Sequence, residues 1–259
     1  MMSDLPQCKL YIFFAIMLLA TVVSGFDFRR EAIEWGSVGV LGLGAYGFSQ
    51  SGPFFEEPLI GGETDAPLKD EQVPKEWLGG ISSGVSAVTL TLIPTNDKNR
   101  LTHYRHIKGY VEAIAAERLL SCFAKDLFGS PRPDADEREF AGYEERDIRD
   151  SFPSGHTSYS FVNATYLSLY LWTCIGNNES AWEIAGKSVA TSAMLGAASW
   201  VGWTRVEDNV HRPRDVVAGA ILGTSVAAGV FMLQEGPLNY YENLAITPTP
   251  DGIYLTLRF

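Results

Sequence analysis

Histidine, cysteine and positive charge are all in short supply in this chain of 259 residues. It holds four histidines, three cysteines and 20 Lys and Arg against 31 Asp and Glu, a formal net charge of −11. That balance excludes a nucleic-acid binder, which needs a basic face to neutralise phosphates. Any pocket for an anionic substrate must therefore be a local island of positive charge. Cys8, Cys122 and Cys174 show no metal-ligand spacing. Cys8 falls in an N-terminal leader, which leaves two cysteines for one disulfide at most, and the simpler reading of that pair is two buried free thiols. No internal repeat is present. Hydrophobic residues make up 46% of the chain and charged residues 20%, which excludes broad disorder. The length allows one sizeable core and does not demand two domains.

The N-terminus has the layout of a secretory signal peptide. A short polar region ends in Lys9, an apolar run follows from Leu10 to Val23, and Ser24-Gly25 supplies small residues before Phe26. An uncleaved anchor is the alternative, because the run is short for a membrane span. The division expected is a signal peptide or anchor over 1–25, a main domain over 26–235 and a tail over 236–259. Three uncharged runs approach spanning length, Leu78 to Ile93, Thr157 to Ile175 and Ser188 to Thr204, and Val216 to Leu233 reaches it. The last carries Gly219 and Gly223 at the spacing that lets helix backbones approach closely. Ile107 to Ala124 reads as an amphipathic helix, and 32–48 as a Gly-rich one. Loops are expected at 50–76, 94–106, 126–153, 176–183 and 205–215. The fold expected is all-α, a bundle of about six helices, membrane-embedded or membrane-associated, with a short hairpin or strand over Leu244 to Phe259. The mean hydropathy of +0.01 is low for a polytopic membrane protein, so a soluble bundle stays open. The loop 95–108, with Lys98, Arg100, Arg105 and Lys108, has the bias of a cytoplasmic segment. Asp134 to Asp150, with eight acids and three arginines, reads as a solvated loop.

Chemistry concentrates in three segments: Lys125-Asp-Leu-Phe-Gly-Ser-Pro-Arg132-Pro133, Pro153-Ser154-Gly155-His156, and Thr204-Arg205 followed by His211 and Asp215. Lys125, Arg132 and Arg205 supply three cations, and the guanidinium forks of the two arginines suit phosphate oxygens. Ser154 and Gly155 stand at the start of an apolar helix, where free N–H groups and the dipole favour an anion. His211 and Asp215 are four apart, so Asp215 can hold one ring nitrogen and leave the other as a nucleophile. His156 then remains to protonate a leaving alkoxide.

Together, Lys125-x6-Arg132-Pro133, Pro153-Ser154-Gly155-His156 and Thr204-Arg205-x5-His211-x3-Asp215 resemble the three signature motifs of the type 2 phosphatidic acid phosphatase superfamily. That superfamily includes lipid phosphate phosphatases, bacterial class A acid phosphatases and vanadium haloperoxidases. Thr204 stands where the family usually has Ser, which keeps a hydroxyl. The resemblance implies a metal-independent phosphatase with no cofactor, acting through a phosphohistidine at His211. Asp215 would orient His211, and His156 would serve as general acid and then base. Lys125, Arg132, Ser154, Gly155 and Arg205 would bind the phosphate. The substrates implied are lipid phosphates such as phosphatidic acid, phosphatidylglycerol phosphate or undecaprenyl diphosphate. A soluble secreted acid phosphatase and a vanadate-dependent haloperoxidase are the alternatives. With the leader exported, the three motifs meet outside the cytoplasm only if 32–48 does not span the membrane.

Overall fold

In a computed structural model of the protein, residues 28–92, 100–235, 244–249 and 252–257 are described. The leader over 1–25 and residues 95–99 of the basic stretch lie outside these residues, and the rest of that stretch, read as a loop, is helical from Arg100. The chain forms two compact units, Met1–Gly39 and Val40–Phe259. The first is described from Phe28, where helix α1 (Phe28–Gln50) begins, and α1 from Val40 onward belongs to the second. After α1 come α2 (Lys75–Leu92), α3 (Arg100–Phe128), the short α4 (Ala135–Phe140) and α5 (Glu145–Ile148), then α6 (Gly155–Cys174), α7 (Ala181–Glu207) and α8 (Pro213–Glu235). The expected all-α bundle is what forms.

The expected hairpin is also present. Strand β1 (Leu244–Thr249) pairs antiparallel with β2 (Gly252–Leu257), in a register that sets Leu244 opposite Leu257 and Thr249 opposite Gly252.

Helix α6 is the centre of the bundle, packed on α8, α7, α3 and α2. Its closest neighbour is α8, and small residues make that approach possible. A Cβ at Gly219 would sit 2.5 Å from the Ser154 carbonyl oxygen, and one at Gly223 would collide with the Ser158 carbonyl. The predicted glycine pair is therefore a backbone contact. Below it, Ala113, Val162, Tyr166, Leu167, Tyr170, Ala227 and Phe231 form the core. Burying Val162, Leu167 and Phe231 stabilises the fold by roughly 1.5–3 kcal/mol each.

At the far end of the same three helices, fully buried His106 lies against Tyr166, Tyr170 and Phe231. Its Nε2 lies 3.0 Å from Glu235 Oε1 and 3.2 Å from Cys174 Sγ. A carboxylate oxygen can only accept, so Nε2 carries the proton. Arg105 adds a second donor to the same oxygen at 3.1 Å. The expectation of buried free thiols holds for both Cys122 and Cys174.

Many large apolar side chains point outward, among them Trp77, Ile81 and Val88 on α2, Trp200 and Trp203 on α7, and Val217, Ile221, Met232 and Leu233 on α8. Among the described residues α8 is the one helix long and apolar enough to cross a membrane. Only 22% of its most apolar window is buried, whereas the core helix of a water-soluble protein would be mostly covered.

Two stretches read as plain loops have more structure. The 126–153 segment carries α4 and α5, with Asp134 and Arg138 buried and paired at 2.8 Å. The 50–76 connection is an irregular strap bonded to the segments that carry the first and third motifs. Phe54 and Leu59 donate N–H bonds to Asp126 and Phe128 at the end of α3, and Ala66 donates to Pro133. Lys69 Nζ donates to the Glu207 carbonyl, and Gln72 grips both Asp208 oxygens.

Candidate active site

The bundle delivers the three motifs to one end. Lys125 lies in the last turn of α3, which stops at Gly129, whose φ of +52° suits glycine at a helix C-terminus. The chain then turns back, and an N–H bond from Arg132 to the Ile148 carbonyl holds Arg132 beside the residues that lead into α6. His156 is in the first turn of α6, Arg205 in the last turn of α7, and His211 just before α8.

His211 is nearly fully buried. Its Nδ1 lies 2.7 Å from the Ser151 carbonyl oxygen. A carbonyl cannot donate, so Nδ1 holds the proton and Nε2 keeps its lone pair. This is the tautomer expected of a nucleophile, but the partner is not the one foreseen. Asp215 Oδ2 is 4.0 Å from Nδ1, beyond hydrogen-bond range. That oxygen accepts instead from Ser151 Oγ at 2.7 Å and from the Arg212 backbone N–H at 2.9 Å. Asp215 therefore caps α8 and anchors Ser151, and reaches His211 through it. The four-residue spacing misleads because His211 precedes the helix: its N–H bonds to the Arg205 carbonyl rather than along α8.

A cluster of charge surrounds this imidazole. Asp150 bridges the two cations of the first motif. Its Oδ2 accepts from Lys125 Nζ at 2.9 Å, and its Oδ1 from Arg132 Nε at 2.8 Å with Nη2 at 2.5 Å. Those cations hold the Asp150 carboxyl well below the usual carboxylate range, against the opposing pull of its burial. Burial, then the nearby Arg132 and Lys125, push His211 well below an ordinary histidine. His156 is pushed down to about 3 by burial, then by Arg205, Lys125, Lys75 and Arg132. Both rings are neutral near pH 7. His156 Nε2 is buried and makes no hydrogen bond among the described residues, with Glu71 Oε2 3.8 Å away.

Fully buried Arg205 is gripped by Glu71 at 3.0 Å and Asp208 at 2.8 Å. Thr204 donates its hydroxyl back to the Val201 carbonyl. Ser154 differs from expectation: its backbone N–H is committed to the Asp215 carbonyl at 3.0 Å, and its Oγ accepts from Thr157. That leaves the amides of Gly155 and His156, which open α6, for an anion. A Cβ on Gly155 would find its nearest atoms, on Lys125 and Ser121, at an ordinary 3.7 Å. Neighbouring side chains therefore do not require glycine there.

Lys125, Arg132, His156, Arg205, His211 and Asp215 are thus brought together, while Glu71, Asp150, Ser151 and Asp208 complete the site unforeseen. Adjacency to the Pro-Ser-Gly-His turn was a signal for Asp150 and Ser151, and Glu71 had none.

The family model for the PAP2 superfamily matches residues 107–236, half of the chain. The chain belongs to that superfamily. Among curated relatives of this PAP2 protein, the probable diacylglycerol pyrophosphate phosphatase 1 of Schizosaccharomyces pombe is 28% identical over 195 residues, covering 66% of this chain and 68% of that protein. Lipid phosphate phosphatase 1 of Arabidopsis thaliana is 45% identical over 92 residues, 36% of this chain and 28% of the relative. Lipid phosphate phosphatase 2 of the same plant is 29% identical over 185 residues, 64% and 63%. The chain therefore spans between 28% and 68% of the length of these three relatives. No solved structure matches. Membership and these relatives make the chain a PAP2-type phosphatase, a hydrolase of phosphoric esters.

Proposed function

We propose that this PAP2 protein hydrolyses lipid phosphate monoesters through a phosphohistidine on His211, with no metal in the chemistry. The observation that carries the reading is the 2.7 Å contact of His211 Nδ1 with the Ser151 carbonyl, which directs the Nε2 lone pair into a cluster of Lys125 and Arg132. In the first step Nε2 attacks phosphorus, the P–N bond forms and the bond to the lipid oxygen breaks. His156 Nε2 gives that oxygen its proton. In the second step a water attacks phosphorus, His156 takes up the water's proton, and the P–N bond breaks to release inorganic phosphate. Lys125, Arg132, Arg205 and the amides of Gly155 and His156 hold the phosphoryl oxygens, fixed charge that needs no reorganisation during the reaction.

Because His156 is neutral in the empty pocket, the proton that it donates enters with the substrate. A phosphate monoanion passes one to His156, and the dianion so formed offsets the cations that depressed it. Activity is then expected to fall as pH rises through the second phosphate pKa, about 6.

An apolar cavity of about 530 Å³ supports a lipid substrate. It lies between α2, α6 and α7, lined by Trp77, Ile81, Val85, Leu167, Met194 and Trp200, and begins at Gln72 beside Glu71. An acyl chain fits its chemistry, with the headgroup at the cations. The signal-peptide layout read from residues 1–25 of the sequence argues for a pocket on the outer side of the membrane.

Rapid quenching with ³²P-labelled phosphatidic acid tests the mechanism. An acid-labile, base-stable label on the wild-type protein, absent from His211→Ala, is expected. An unlabelled wild-type enzyme that still turns over would overturn it, as would activity lost to a chelator and restored by a divalent ion.

A further inference from the structure

The pocket proposed to hold phosphate is already filled by an anion of the protein itself. Asp150 presents two oxygens to Lys125 and Arg132 at 2.5–2.9 Å, the lengths of charge-assisted hydrogen bonds. It takes the Nε/Nη2 edge of Arg132, an edge that can hold a phosphate with two parallel bonds. The rest of that guanidinium is partly engaged, with Nη1 3.3 Å from the Val210 carbonyl. The side chain of Asp150 is only 18% exposed, so its contacts are not those of a surface pair.

We propose that Asp150 is a built-in competitor for the phosphate pocket, a carboxylate that holds Lys125 and Arg132 in the empty enzyme and gives way when a phosphate group arrives. This rests on the reading of those two cations as phosphate ligands. Displacement weakens the binding of every anion by the same exchange, so inorganic phosphate leaves readily after turnover. It also favours groups carrying more charge and more acceptor oxygens than a carboxylate. The competitor is placed where it can act on chemistry, because the next residue is Ser151, whose carbonyl holds His211 and whose hydroxyl is held by Asp215. The backbone at Asp147 and Ile148 is tied to Arg132 as well, through Arg132 Nε at 2.8 Å and the Arg132 N–H. Releasing Asp150 from Arg132 therefore loosens the segment that ends at the histidine's anchor.

Competitive inhibition by vanadate and by inorganic phosphate tests the proposal in the wild type, Asp150→Asn and Asp150→Glu. Asn keeps the size and removes the charge. Its inhibition constants are expected to drop about tenfold or more, with KM falling alongside. Glu is expected to restore weaker inhibition. Constants that stay the same or rise in a folded Asp150→Asn protein would overturn the proposal, because a purely structural clasp predicts splayed cations and poorer binding. Hydrogen exchange of the wild type serves if the variant does not fold. Vanadate should speed exchange over 147–151, and slower exchange there would count against displacement. Failure of vanadate and phosphate to compete with substrate in the wild type would instead remove the phosphate-pocket reading itself.

Discussion

At one end of α3, α6 and α8, His211 donates from Nδ1 to a backbone carbonyl and keeps the other nitrogen for use. At the opposite end, roughly 28 Å away along α3 by the helical rise between residues 106 and 125, His106 spends its Nε2 proton on Glu235 with Cys174 beside it. Both rings are buried and polar on one side. What separates them is where the neighbouring charge goes. Around His211 the cations are matched by carboxylates on loops, which a ligand can displace. Around His106 the carboxylate belongs to the end of α8 and meets the ring directly. A buried histidine is thus not a site by itself; the site is the histidine whose partners leave a nitrogen and an anion pocket open.

The sharpest way to break the comparison is to truncate each ring. His211→Ala is expected to lower kcat by at least about 10⁴-fold, as for other nucleophile removals, with the fold intact. His106→Ala is expected to act on stability, by roughly 2–4 kcal/mol in denaturation with the residual folded enzyme still turning over. Equal loss of kcat at both would erase the distinction.

A smaller effect comes from pH. The folded-state values of His156 and His211 lie below their unfolded value of about 6.5. Protons therefore bind the unfolded chain more readily, and stability present above pH 6.5 is lost as pH falls below it. At pH 5 the cost is about 2 kcal/mol for His156, and His211 adds to it in the same direction. A thermal midpoint in mild detergent that is lower at pH 5 than at pH 7.5, with the gap reduced in His156→Gln, is the expected result.

The smallest concerns Gly155. With room for a Cβ and a gain in helix propensity, Gly155→Ala is expected to change stability by less than about 1 kcal/mol. It should still lower kcat/KM about tenfold by crowding the bound phosphate. Loss of stability without loss of activity would mean that the glycine serves the fold.

How far the sequence spoke for itself follows the same division. The uncharged runs of α6 and α8 and the Gly219/Gly223 pair read through because run length and a four-residue spacing are local in sequence. Lys125, Arg132, His156, Arg205, His211 and Asp215 were legible from motif spacing. Glu71 was not, because its partner Arg205 lies 134 positions along the chain and nothing in an acidic loop residue marks which cation it will meet. Asp150 was taken for solvent-facing charge because seven other acids surround it in sequence between 134 and 150. The Asp215 pairing was misassigned because helical spacing was applied to a histidine that stands outside the helix. In each case, the missing knowledge was the path of an irregular segment, whose hydrogen bonds obey no period.

The length of α8 has one more consequence. Its 23 residues measure roughly 34 Å, slightly more than the hydrocarbon thickness of a bilayer. The imidazole of His211, the proposed nucleophile, stands two residues ahead of its first turn. A bilayer fitted around that helix would put the scissile bond at headgroup depth, so a lipid could be dephosphorylated with its tails still among their neighbours. The alcohol left behind by that proposed reaction would already lie among the lipids that a further lipid-modifying step draws on.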